Sequence, residues 1–141
     1  MLMAVFCLGA SLIGINGQKD WANLQRYAQQ NAELPKPDKN EKRVVFMGNS
    51  ITEGWVNTHP DFFKSNGYIG RGIGGQTSYQ FLVRFREDVI NLSPALVVIN
   101  AATNDIAENT GAYHEDRTFG NIVSMVELAK ANHIKVILTT T

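Results

Sequence analysis

Val44-Val45-Phe46-Met47-Gly48-Asn49-Ser50-Ile51-Thr52-Glu53-Gly54-Trp55 is an apolar, β-branched run that stops at a glycine and delivers a serine two residues later. The pattern predicts a buried parallel strand, a sharp turn at Gly48, and a helix that begins around Ser50. Open α/β sheets bind ligands at the C-terminal ends of their strands, so Ser50 stands where a nucleophile is useful. The same turn has a plainer reading, with Ser50 or Thr52 capping the helix by accepting its free N–H groups. Two further strand ends downstream also carry polar, hydrogen-bonding residues, and three such ends in order are hard to explain as caps alone.

Toward the C-terminus, residues 68–73 alternate between flanking glycines and predict a second strand, which leaves through Gly74-Gly75-Gln76-Thr77-Ser78. From Thr77 or Ser78 onward, Phe81, Leu82, Phe85, Val89 and Ile90 mark an amphipathic helix that stops near Ser93-Pro94. Residues 95–99 form a wholly apolar third strand. Its exit, Asn100-Ala101-Ala102-Thr103-Asn104-Asp105, opens into a long polar loop through Asn109, Gly111 and His114, the kind of loop that carries function. A helix over 118–132 and a fourth strand over 134–138 follow.

Toward the N-terminus, Trp21, Leu24, Tyr27 and Ala28 recur at three- and four-residue spacing. They predict a helix over 20–34 with Asp20 as its N-cap, ended by Pro35 and Pro37. Strands alternating with helices in this way predict a three-layer doubly wound α/β fold with a parallel sheet. In the flavodoxin-like order the first strand lies between the second and third, and the three polar exits meet above it.

The chain has 141 residues, 44% apolar and 18% charged, which is one domain's worth with a real core. Thirteen basic and thirteen acidic residues cancel, so no global field recruits nucleic acid or an anionic membrane surface. Residues 1–15 carry no charge and are rich in Leu, Val, Phe and Ile, and Gly17 supplies a small residue at a cleavage position. Residues 1–17 are therefore read as a secretory signal, too short and glycine-broken to span a bilayer. No membrane span is expected after its removal, and the location implied is secreted or periplasmic. The lone cysteine, Cys7, lies within it, so the mature domain over 18–141 is expected to have no disulfide and no thiolate metal site. No cofactor is expected.

An acyl-transfer site needs a hydroxyl nucleophile, a base, and donors aimed at the oxygen that becomes negative. Ser50 supplies the hydroxyl and, at the head of a helix, a backbone N–H. Gly75 offers a second N–H that no side chain obstructs, and the Asn104 carboxamide a third. Each block also has an alternative. Gly72-Ile73-Gly74-Gly75 could cradle a phosphate, though neither nucleotide-binding pattern is matched. Asn104-Asp105 could form an Asx-turn, and Glu53 with Asp105 a carboxylate pair for glycoside cleavage.

Gly48-Asn49-Ser50-Ile51-Thr52, Gly72-Ile73-Gly74-Gly75 and Ala102-Thr103-Asn104-Asp105 together resemble the first three blocks of the SGNH hydrolases, the GDSL-like esterases and lipases. The resemblance implies Ser50 as nucleophile and oxyanion donor, Gly75 as backbone donor and Asn104 as side-chain donor. Asn49 stands where the family usually has Asp, and Ala102 where it usually has Gly; Ala102 matters if that position needs a positive φ. The family's last block, Asp-x-x-His, has no counterpart here. His133 precedes the fourth strand at the far edge of the sheet, and His59 and His114 are expected in loops on the Ser50 side, in surface roles.

The expectation is a domain that lacks its last strand and closing helix, with the base beyond residue 141. The implied activity is hydrolysis of small acyl esters, acetyl above all, with a small-molecule or carbohydrate ester as substrate. Trp55, Tyr79 and Tyr113 could stack on sugar rings or simply pack. The alternative is a non-catalytic ligand- or glycan-binding module that lacks the base. Oligomeric state is not encoded in any visible feature.

Overall fold

The computed structural model describes residues 20–139, so the signal expected over residues 1–17 lies outside the described residues. Four parallel strands form one sheet: β1 (Val44–Gly48), β2 (Tyr68–Gly72), β3 (Leu96–Asn100) and β4 (Lys135–Thr139), in the order β2-β1-β3-β4. This is the flavodoxin-like order expected. Val45 pairs with Ile69 on one side and Val97 on the other, and Val97 in turn with Val136.

The alternation along β1 sends its side chains to two different layers. Val45 and Met47 join Val97 and Ile99 beneath α4 (Ser78–Asp88) and α6 (Glu115–Ala131), where Phe81, Phe85, Met125 and Ala129 complete a dry core. Phe46 faces the other way, into an aromatic cluster with Trp55 of α2 (Ser50–Thr58), Phe63 of α3 (Pro60–Ser65) and Tyr68. Helices therefore cover both faces, as doubly wound sheets require. No helix among the described residues is long and apolar enough to cross a membrane.

Several boundaries move. The helix expected over 20–34 is a short 3-10 turn at Leu24–Arg26 followed by α1 (Ala28–Glu33). Asn23 has φ 54°, and the carbonyls of Trp21 and Ala22 accept from Gln80 Nε2 and Gln76 Nε2, both at 2.7 Å. Tertiary partners thus take backbone groups that a helix would use. Asn23, not Asp20, is the N-cap of the 3-10 turn and Tyr27 that of α1; Asp20 lies upstream and accepts the Gln25 N–H at 3.0 Å. The polar loop after β3 contains one helical turn, α5 (Thr103–Ile106), and α6 begins three residues earlier than expected, at Glu115. In β4, an edge strand paired with β3, the side chains of Ile137 and Leu138 are about half exposed.

Ala102 has φ 82°, so the position where the family usually has glycine does demand a positive φ. A Cβ there costs on the order of 1–3 kcal/mol, against about 0.5–1 kcal/mol of extra chain entropy for glycine. Ala102→Gly is accordingly expected to stabilise the protein, by about 0.5–1 kcal/mol. A thermal melt with an unchanged or lower midpoint would show that the strain is relieved in some other way.

Candidate active site

Ser50 is the first residue of α2, directly after β1, and is exposed. Its neighbour Asn49 is 1% exposed; Asn49 Oδ1 accepts the Ile51 N–H at 3.0 Å, and its carbonyl accepts the Glu53 N–H at 3.0 Å. Asn49 is therefore the cap, which frees the Ser50 hydroxyl from that duty. The Ser50 N–H has no acceptor among the described residues.

The end of β2 runs against this first turn of α2. A Cβ on Gly72 would lie 2.3 Å from Glu53 N, so only glycine fits there. In the turn that follows, nearly every peptide group is tied down. Ile73 N–H donates to Gly48 O at 3.0 Å, Gly74 N–H to Glu53 Oε2 at 2.8 Å, and Gln76 N–H to Ile73 O at 3.4 Å. Thr77 N–H donates to Gln80 Oε1 and Ser78 N–H to Asp105. Gly75 N–H alone in this turn has no acceptor among the described residues. Gly75 has φ 77°, which glycine adopts freely, and its carbonyl accepts from Asn109 Nδ2 at 3.2 Å.

Three exits meet here. A Cβ built on Gly74 would sit 3.8 Å from Ser50 Cβ, and Asn104 Nδ2, on α5, donates to Gln76 O at 2.9 Å. One amide N–H of Asn104 is thereby anchored to the residue after Gly75, and its second N–H has no acceptor among the described residues. Glu53, on the same helix as Ser50, holds Gly74 and pairs with Arg26 at 3.3 Å. Asp105, 5% exposed, accepts from Ser78 N, Ser78 Oγ and Thr118 Oγ1. Both carboxylates are committed to holding loops, which leaves neither free as half of a glycosidase pair.

Below the turn lies Arg84, fully buried and paired with Asp88 at 2.8 Å. Burial pushes its guanidinium below the ordinary value, while the Asp88 carboxylate beside it pulls it back up. Its Nε–H goes to Gln76 Oε1 at 2.6 Å, and Nη2 donates to Arg71 O at 2.9 Å and Gly48 O at 3.1 Å. None of this was read from the sequence, although Arg84 and Asp88 share the apolar face of Phe81 and Phe85, at i, i+3, i+4 and i+7, and so announced a buried pair.

The histidines divide differently from expectation. His59 is the C-cap of α2, about 13 Å along the helix from Ser50, and bonds Thr58 Oγ1 through Nδ1. The helix runs back toward the opposite edge of the sheet and carries His59 with it. His114 caps α6 on the Ser50 edge, lining a hollow of about 250 Å³ with Trp21, Tyr79 and Arg117. His133 follows α6 at the far edge, as expected. No described histidine hydrogen-bonds Ser50. Trp55 stacks on Phe62 at 5.3 Å within the aromatic cluster.

Comparison with known proteins gives the same picture. A solved structure from Bacteroides fragilis, assigned as an acylhydrolase, is 99% identical with a TM-score of 0.87 and is matched over 88% of this chain and 60% of its own. An acetyl xylan esterase structure is 27% identical, with a TM-score of 0.58, over 68% of this chain and 56% of its own. An uncharacterized lipoprotein of Bacillus subtilis is 32% identical over 114 residues, 69% of this chain and 47% of that protein. The chain thus spans about half the length of that relative and three fifths of the first structure. The family of GDSL-like lipases and acylhydrolases matches residues 46–141, from the strand that presents Ser50 through all three polar exits, and the chain belongs to that family.

Proposed function

We propose that Ser50 is the nucleophile of an ester hydrolase and that the Ser50 N–H, the Gly75 N–H and the Asn104 amide bind the developing oxyanion. The observation that carries this is the turn from Ile73 to Ser78, whose Gly74 lies beside Ser50 and in which every backbone N–H but that of Gly75 has an acceptor among the described residues. Donors held in advance cost no reorganisation when charge develops, which is where most of their benefit arises. Attack of the Ser50 hydroxyl on the ester carbonyl would form the acyl-enzyme and expel the alcohol, and water would then release the acid. The proton of Ser50 needs a base, and none of the described histidines bonds to Ser50.

Small acyl esters of carbohydrates, acetyl esters first, are the proposed substrates, supported by the similarity to an acetyl xylan esterase. The likeness to a lipoprotein supports a location in the cell envelope or outside it, with residues 1–17 as export signal and 18 onward as the hydrolase domain. A binding module with the same arrangement of donors and no base is the competing reading, favoured by the lack, among the described residues, of a histidine bonded to Ser50. Hydrolysis by the full-length protein that depends on Ser50 separates the two.

Asn104→Ala tests the oxyanion assignment directly. It is expected to lower kcat on p-nitrophenyl acetate by roughly 10²–10³, the scale of one lost donor. Full activity in that variant would remove Asn104 from the mechanism.

A further inference from the structure

Resting on the proposed oxyanion site, we infer that Gln76 is a positioning residue that locks two of its donors together and ties them to the N-terminal segment over residues 20–34. That segment precedes the part of the chain matched by the family. Gln76 is 4% exposed, and every polar group it owns is engaged. Its Oε1 accepts from Arg84 Nε at 2.6 Å, and its Nε2 donates to Ala22 O at 2.7 Å. Its backbone carbonyl receives Asn104 Nδ2 at 2.9 Å, and its N–H closes the turn onto Ile73 O at 3.4 Å.

The geometry makes the coupling direct. Gly75 N–H belongs to the Gly74–Gly75 peptide unit, which only the φ and ψ of Gly75 separate from the Gly75–Gln76 unit; the latter is held by Gln76 N–H on Ile73 O, so the aim of Gly75 N–H depends on where Gln76 is held. Asn104 has two amide protons; fixing one on Gln76 O fixes the direction of the other, because the carboxamide is planar. The two donors are therefore set relative to each other through one residue, and the side chain of that residue is gripped from below by Arg84 and from outside by Ala22. The grip on the outer side is itself braced: Gln80 donates to Trp21 O, Tyr27 OH to Gly72 O, and Arg26 pairs with Glu53, which holds Gly74. A displacement near 1 Å in such a constellation costs on the order of 10² in rate.

The experiment uses the full-length protein and p-nitrophenyl acetate, comparing wild type, Gln76→Met, Gln76→Glu and Ser50→Ala. Gln76→Met keeps the volume and loses both side-chain bonds, whereas Gln76→Glu keeps the acceptor for Arg84 and loses the donor to Ala22. Both are expected to lower kcat roughly 10- to 100-fold with KM within about twofold, and with the same pH profile, in protein that remains folded at the assay temperature. A purely structural role would lower the melting point and leave the kcat of folded protein alone; that result overturns the inference. In an Asn104→Ala background the further loss from Gln76→Met should shrink, because the residue acts partly through Asn104; full additivity counts against it. If the variants fail to fold, hydrogen exchange of the Asn104 side-chain amide in the wild type decides, with one proton at least about tenfold slower than the other expected from a hydrogen-bond lock, and equal rates overturning it. Activity that survives Ser50→Ala would instead sink the proposed function, whatever Gln76 does.

Discussion

Ser50→Ala is expected to abolish ester hydrolysis by the full-length protein, lowering kcat by roughly 10⁴–10⁶, the range seen when a serine hydrolase loses its nucleophile. The proposed oxyanion donors survive the change, since two are backbone N–H groups of residues 50 and 75 and the third belongs to Asn104. What remains is the modest acceleration that preorganised donors give to attack by water. Stability should barely move, within about 0.5 kcal/mol, because Ser50 is exposed, Asn49 does the capping, and the hydroxyl makes no hydrogen bond among the described residues. The measurement is paired: hydrolysis of p-nitrophenyl acetate and the thermal midpoint on the same samples. More than about one per cent residual activity, well above the residue of the range just given, would take the nucleophile away from Ser50.

The largest effect on stability is expected from Arg84→Ala, about 3–5 kcal/mol, the usual cost of breaking a buried ion pair from one side. The variant leaves the Asp88 carboxylate, 1% exposed, without its cation, and leaves Gln76 Oε1, Arg71 O and Gly48 O without the donor they accept from. Asn31 Nδ2, at 2.7 Å from Asp88 Oδ1, is a neutral donor and compensates only in part. Denaturant unfolding gives the number. Replacing both partners by apolar residues, Arg84→Met with Asp88→Leu, should recover part of the loss, since the uncompensated charge goes with Asp88. A single variant within about 1 kcal/mol of wild type would mean that water reaches the site and the pair is not dry; the threshold is the scale of an exposed pair.

The fold was legible because its signals are local and repeated. Runs such as Val44–Gly48 and Leu96–Asn100 are β-branched, end at polar residues, and alternate with helical spacing, and that pattern leaves few windings. The three polar exits were legible for the same reason. The N-terminal segment misled because its periodicity is helical while its carbonyls at residues 21 and 22 serve glutamines more than fifty positions away, and no window of sequence contains that competition. α5 is one turn long, too short for any period to register, though it is what aims Asn104. The start of α6 did carry a signal, with Glu115 and Asp116 in its first turn, where acidic residues favour the positive end of a helix. His59 was misplaced because the length of α2 sets which edge of the sheet follows it, and the apolar pattern of residues 50–58 defines that length poorly.

The four acceptors around Arg84 come from the end of β1, the end of β2, the turn itself and the last residue of α4. Loosening any one of them strands part of a guanidinium that is fully buried. The turn that carries Gly75 therefore has no inexpensive way to open by itself; to move far, it must take the ends of β1 and β2 with it. Surface loops commonly fluctuate at little cost while the core stays closed. Here loop and core belong to one cooperative unit, so the segment that would do chemistry shares the slow, rare opening of the sheet rather than the fast motion of its surroundings.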